Sequence, residues 1–120
     1  MTTDAALATL ANESIHRRPL GDDALGEVLA VLGARWSVVG PDLVLTLAGS
    51  MTRTTRAAAF AGALADELDH HPSIEIEYAG LTLAIHTHDA KAITGLDVTY
   101  AARVEIFLRE NLDETAPASQ

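Results

Sequence analysis

Ile74-Glu75-Ile76-Glu77-Tyr78-Ala79-Gly80-Leu81-Thr82-Leu83-Ala84-Ile85-His86-Thr87 is two alternating runs around a short break. Ile74 to Tyr78 and Leu81 to Thr87 exchange apolar and polar residues at every step, as half-buried strands do, and Ala79-Gly80 between them predicts the turn of a β-hairpin. In the second run Leu81, Leu83, Ile85 and Thr87 share one face, while Thr82, Ala84, His86 and the following His88 share the other. If the leucine face is the core, His86 and His88 look outward. A lone outward histidine is ordinarily a solvated surface residue, which is the reading given to His86.

Before this hairpin the order Asp66-Glu67-Leu68-Asp69-His70-His71-Pro72 closes a predicted helix over Ser50 to Asp69. Phe60, Leu64 and Leu68 recur there at four-residue steps, and Ala57, Ala61 and Ala65 would let that face approach a sheet closely. Pro72 cannot continue a helix and disfavours helical geometry at His71, so both histidines are expected at a helix-to-strand corner. Further back, Trp36, Val38 and Leu43-Val44-Leu45-Thr46-Leu47 flank Gly40-Pro41-Asp42 and predict a first hairpin. Ahead of it Leu25, Val28, Leu29 and Leu32 mark an amphipathic helix, with Asp22 or Asp23 as cap and Gly33 in the left-handed position past its end. After the second hairpin Thr94-Gly95-Leu96-Asp97 opens a last helix carrying Tyr100, Val104, Phe107 and Leu108.

The order α-β-β-α-β-β-α predicts an α+β fold in which two hairpins join into one four-stranded antiparallel sheet, with helices on one face. One domain over residues 20–112 accounts for it. Residues 1–19 are expected as an extension, a short helix or a mobile arm, and 113–120 as a frayed tail. The other sheet face and the edges would stand open, so an oligomer is expected.

The 120-residue chain is 48% apolar and carries 17 acidic against 8 basic side chains, a net charge of −9, which disfavours nucleic acid and anionic membranes as partners. It has no cysteine, which removes disulfides, thiolate metal sites and cysteine nucleophiles. No cationic leader with an apolar run and no stretch of about 20 apolar residues is present, so a cytoplasmic protein is expected. Glycine-rich phosphate loops and Gly-x-Ser-x-Gly elbows are also missing.

Chemistry therefore concentrates on His70, His71 and His88. Each has a plain structural reading: a histidine in a last helical turn interacts favourably with the helix dipole, and a strand-end histidine can be mere surface. Asp66, four residues before His70, is expected to orient that imidazole across one helical turn, or to form an exposed ion pair. Asp97 fits a capping box with Thr94, a role compatible with a place at a site. Three histidines could hold zinc for a hydrolase. They could equally carry metal-free acid and base work, because imidazole titrates near neutral pH.

Taken together, Trp36 before a hairpin, an acidic residue four positions before His70-His71-Pro72, Tyr78, Thr87-His88 and Asp97 nine residues after His88 make the chain resemble the pterin-4a-carbinolamine dehydratases, over roughly Leu20 to Leu108. The resemblance implies a lyase that removes water from 4a-hydroxytetrahydropterin to give quinonoid dihydropterin in tetrahydrobiopterin recycling. It implies His70, His71 and His88 as catalytic residues and Asp66, Pro72, Tyr78, Thr87 and Asp97 as supporting or substrate-binding ones. Pterin is then substrate, no cofactor or metal is required, and a homodimer or homotetramer is implied.

The chain departs from the family pattern in having aspartate at position 66, where glutamate is common, and Leu47-Ala48-Gly49-Ser50 in place of an aromatic-rich segment. The alternative function is a non-catalytic binding or assembly factor on the same scaffold, since relatives act through partners; fold alone does not separate the two. The coactivator role of animal members finds no support in this acidic, aromatic-poor sequence.

Overall fold

The computed structural model describes residues 2–13 and 15–113. Its elements are α1 (Thr2–Glu13), α2 (Asp22–Leu32), β1 (Trp36–Val39), β2 (Asp42–Ala48), α3 (Met51–Leu68), β3 (Ser73–Glu77), β4 (Gly80–Ile85) and α4 (Gly95–Phe107), followed by one π-helical turn over Leu108–Leu112. The four strands form a single antiparallel sheet in the order β1-β2-β4-β3, so the α+β arrangement is as the residue pattern predicts, with α1 added in front of it.

One face of this sheet supplies Leu43, Leu45, Leu47, Leu81, Leu83 and Ile85 to a single apolar cluster, which Ala57, Ala61, Leu64 and Ala65 of α3 join from the helical side. The alanine row of α3 is thus its buried face, as small residues meeting a sheet should be. Most of α4 is buried, and Tyr100 at its centre donates to the Ala61 carbonyl of α3 at 2.7 Å. α1 lies along α4, where Thr99 Oγ1 and Arg103 Nε donate to the Leu10 and Ala11 carbonyls.

Four local expectations shift. Gly21 takes the cap position of α2, with no side-chain cap bond, and Asp22 and Asp23 fall in its first turn. The second hairpin turns at Tyr78-Ala79, because Gly80 is already paired with both Glu77 and Ala48. A side chain at position 80 would stand 2.6 Å from the Leu47 carbonyl oxygen, so glycine serves the close strand approach here and leaves the turn to its neighbours. Gly33, expected in the left-handed position, has φ 103° and ψ −176°, still a conformation reserved for glycine, and donates to the Leu29 carbonyl. The tail expected over 113–120 lies outside the described residues apart from Asp113, which is held between Arg35 and Arg53.

Candidate active site

The corner after α3 forms because the helix stops at Leu68. Asp69 takes the left-handed conformation (φ 52°, ψ 50°), its N–H returns to Asp66 O at 3.3 Å, and the His70 N–H returns to Ala65 O at 2.9 Å. This is the Schellman pairing that ends a helix by reversing the chain. It swings His70 off the helical spiral, so the one-turn geometry that would join Asp66 to His70 does not exist. His70 Nε2 instead donates to Asp97 Oδ1 at 2.5 Å, with the two side chains 8% and 0% exposed. Asp66 Oδ1 lies 3.3 Å from His71 Nε2, in a pair 84% and 59% exposed. The expected Asp66–His70 partnership is therefore corrected to Asp97–His70 and Asp66–His71.

Asp97 holds its place at the start of α4 by a capping box. Its Oδ2 accepts the Thr94 N–H at 2.8 Å while Thr94 Oγ1 accepts the Leu96 N–H at 3.3 Å. Thr87, buried past the end of β4, also donates to Asp97 Oδ2 at 2.8 Å and lies 2.6 Å from the Thr94 hydroxyl. One oxygen of Asp97 thus caps the helix and the other grips His70, so capping and site roles coexist. A carboxylate removed from water needs such a set of donors.

His70, His71, His86 and His88 line a common depression of about 280 Å³ together with Arg17, Asp69 and Asp89. A second depression of about 400 Å³ shares His71, His86 and His88 and adds Asp42, Pro72, Ser73 and Ala84. The side chain of His88 has no hydrogen-bond partner among the described residues. Arg17 reaches this place because residues 16–20 are tied to the start of α4 and the loop before it, the Leu96 N–H donating to His16 O and the Leu20 N–H to Ile93 O, each at 2.9 Å. A larger apolar groove of about 420 Å³ beside Phe60 and Phe107 contains no histidine.

Tyr78 is not brought to this cluster. It sits 96% exposed at the tip of the second hairpin, and the five residues of β3 put it roughly 16 Å from the histidine corner at 3.3 Å per residue. Among the described residues no three His, Asp or Glu side chains converge in a geometry that would hold a metal ion. What the arrangement offers is several imidazoles in one cleft, one rigidly oriented by a buried carboxylate and one unengaged, which suits proton transfer to and from a bound molecule.

A family model described as Pterin 4 alpha carbinolamine dehydratase matches residues 18–107. The chain belongs to that family. Among similar proteins named "Putative pterin-4-alpha-carbinolamine dehydratase", one from Chromobacterium violaceum is 33% identical over 92 residues, covering 76% of this chain and 84% of the relative. Another, from Streptomyces coelicolor, is 36% identical over 97 residues, covering 72% and 87%. The crystal structure of a transcriptional coactivator/pterin dehydratase from Brucella melitensis superposes with a TM-score of 0.68 over 74% of this chain and 97% of that one; at 23% identity it speaks for the fold. The family match begins at residue 18, so α1 lies outside it.

The residue pattern missed His86 as a member of the cleft. The alternation placed it correctly on the outer face with His88, but the pairing of β4 with its neighbours was needed to see that the outer face at this end is the cleft wall.

Proposed function

We propose that this member of the pterin carbinolamine dehydratase family is an active 4a-hydroxytetrahydropterin dehydratase that works through His70, His71 and His88 without a metal. In the reaction a proton goes onto the 4a oxygen, the C4a–O bond breaks, the N5 proton passes to a base, and a C4a=N5 double bond forms as water leaves. Every step is a proton transfer or a bond cleavage that a proton assists, so neutral and protonated imidazoles suffice. The observation that carries the reading is the meeting of three imidazoles at one cleft, with His70 fixed by buried Asp97. Its bonded Nε2 leaves Nδ1 as the nitrogen of His70 available to substrate. Pro72 shapes the wall beside His71, and Thr87 acts by holding Asp97.

The reading includes a homodimer or homotetramer. β1 and β3 are the two edges of the sheet, and Val38 and Val39 are exposed on β1, a combination that self-association would cover.

The test is the rate of quinonoid dihydropterin formation from 4a-hydroxytetrahydropterin with chelator-treated protein, against the uncatalysed rate. Acceleration that survives chelation is expected, and His70→Ala, His71→Ala and His88→Ala should each lower it by roughly 10²-fold or more, the scale of general acid–base catalysis. The same preparation should scatter light as a multiple of the 12.7 kDa chain. A folded, oligomeric sample with no acceleration would turn the reading toward a binding or assembly factor.

A further inference from the structure

The cleft contains a fourth imidazole, His86, which has a carboxylate partner of its own. The β2–β4 register ends at Leu43 opposite Ile85, and one step further on Asp42 faces His86. The β3–β4 register ends at Ser73 opposite Ala84, and just past it His71 and His86 line the same depressions. Asp42, His71 and His86 thus come together in the wall of one depression. The contacts agree: His86 Nδ1 lies 2.8 Å from Asp42 Oδ1, and its ring centroid is 6.3 Å from that of His88. Both depressions of the cleft include it.

A carboxylate only accepts, so Asp42 requires the proton of a neutral His86 ring to reside on Nδ1. Nε2 is then a bare acceptor, and it is the ring nitrogen left for a ligand. A reduced pterin offers the complementary groups, ring N–H donors and an exocyclic amino group. We propose that His86 contacts the substrate, accepting a hydrogen bond from a pterin N–H through Nε2, with Asp42 acting through it as a positioning residue. This rests on the dehydratase reading above and adds a binding group to it. The N–H concerned keeps its proton throughout the reaction, so the contact is equally strong in bound substrate and transition state and its loss raises KM with little change in kcat.

The experiment compares His86→Ala, His86→Gln and Asp42→Asn in the full chain, with folding checked by circular dichroism. A single neutral hydrogen bond corresponds to about a 3- to 10-fold effect, so His86→Ala should raise KM by about 5-fold and leave kcat within about twofold. His86→Gln places an amide carbonyl near the Nε2 position and should recover part of the loss, and it carries the test should His86→Ala fail to fold. Asp42→Asn should also raise KM, with no further rise when combined with His86→Ala, because its effect passes through the imidazole. A purely structural pair would lower the urea midpoint and leave KM unchanged, which overturns the inference; so does a 10²-fold loss in kcat at constant KM.

Equilibrium binding of a 7,8-dihydropterin, which has no 4a-hydroxyl to lose, separates this inference from the reading beneath it. If wild type binds the dihydropterin, His86→Ala weakens it about 5-fold and no turnover occurs, the contact stands and the dehydratase reading falls. If turnover occurs and all variants bind the dihydropterin equally with unchanged KM, the reading stands and the contact falls. A wild type that binds no dihydropterin and shows no turnover overturns both.

Discussion

Asp97 and Asp66 each stand within reach of a site histidine, and their surroundings make them unequal. Asp97 is fully buried, accepts from His70, Thr87 and the Thr94 backbone, and belongs to the helix start that fixes it. Asp66 is 84% exposed and meets His71 at 3.3 Å, where water and salt screen the contact and both side chains move freely. Asp97→Asn should therefore lower the dehydration rate roughly tenfold or more through loss of the fixed acceptor for His70, whereas Asp66→Ala should stay within about threefold. Steady-state rates of the two variants side by side check this, and a larger loss for Asp66→Ala would reverse the assignment of partners. The four-residue spacing that singles out Asp66 holds only while the helix continues, and one left-handed residue, Asp69, cancels it. A non-glycine residue in that conformation leaves almost no trace in a sequence. Asp97 was legible as a cap from Thr94-x-x-Asp97, but its hold on His70 spans 27 residues and follows only from the folded chain.

At the scale of elements, apolar period predicted α2, α3, α4 and the four strands because each presents its apolar residues to the shared core, whereas residues 1–19 were left open between a short helix and a mobile arm. Register was not legible, since it depends on which backbone can approach which; Gly80 against Leu47 sets it here, and with it the exposure of Tyr78 and the meeting of Asp42, His86 and His71. The α3 terminus is the element where composition and conformation conflict. Asp69 adopts φ 52° in a position that glycine fills without steric cost. Asp69→Gly should stabilise the protein by about 0.5–1 kcal/mol, the left-handed cost of an aspartate being smaller than that of most residues. A urea midpoint shifted upward with an unchanged slope checks this, and a downward shift would mean that the Asp69 side chain contributes more than its backbone strain costs.

Across the whole molecule, the end remote from the histidines is closed by charge. Glu105 of α4 is nearly buried and accepts from Arg35, from Arg109 and from the indole of Trp36, the single tryptophan of the chain. Arg35 also grips Asp113, and Arg53 from the first turn of α3 joins Asp113 and the Leu112 carbonyl, so the residues just after α4 are fastened to both the turn before β1 and α3. Both arginines hold the Asp113 carboxyl below its ordinary value of 3.8, Arg35 contributing most. A carboxylate whose folded value is depressed adds stability that is fully present above its unfolded value of about 3.9 and is lost as pH falls through the folded value. Asp113→Asn should therefore lower stability at pH 7 by about 1 kcal/mol, a modest figure because Asp113 is about a quarter exposed, and the gap to wild type should narrow as pH falls below the unfolded value and through the depressed folded one. Trp36 reports directly on this network, so urea unfolding followed by tryptophan emission at pH 7, 5 and 3 measures it. A gap that did not narrow at all as pH fell below the ordinary carboxylate range would mean that Asp113 acts through packing or neutral hydrogen bonds and that its charge does not fasten the chain end.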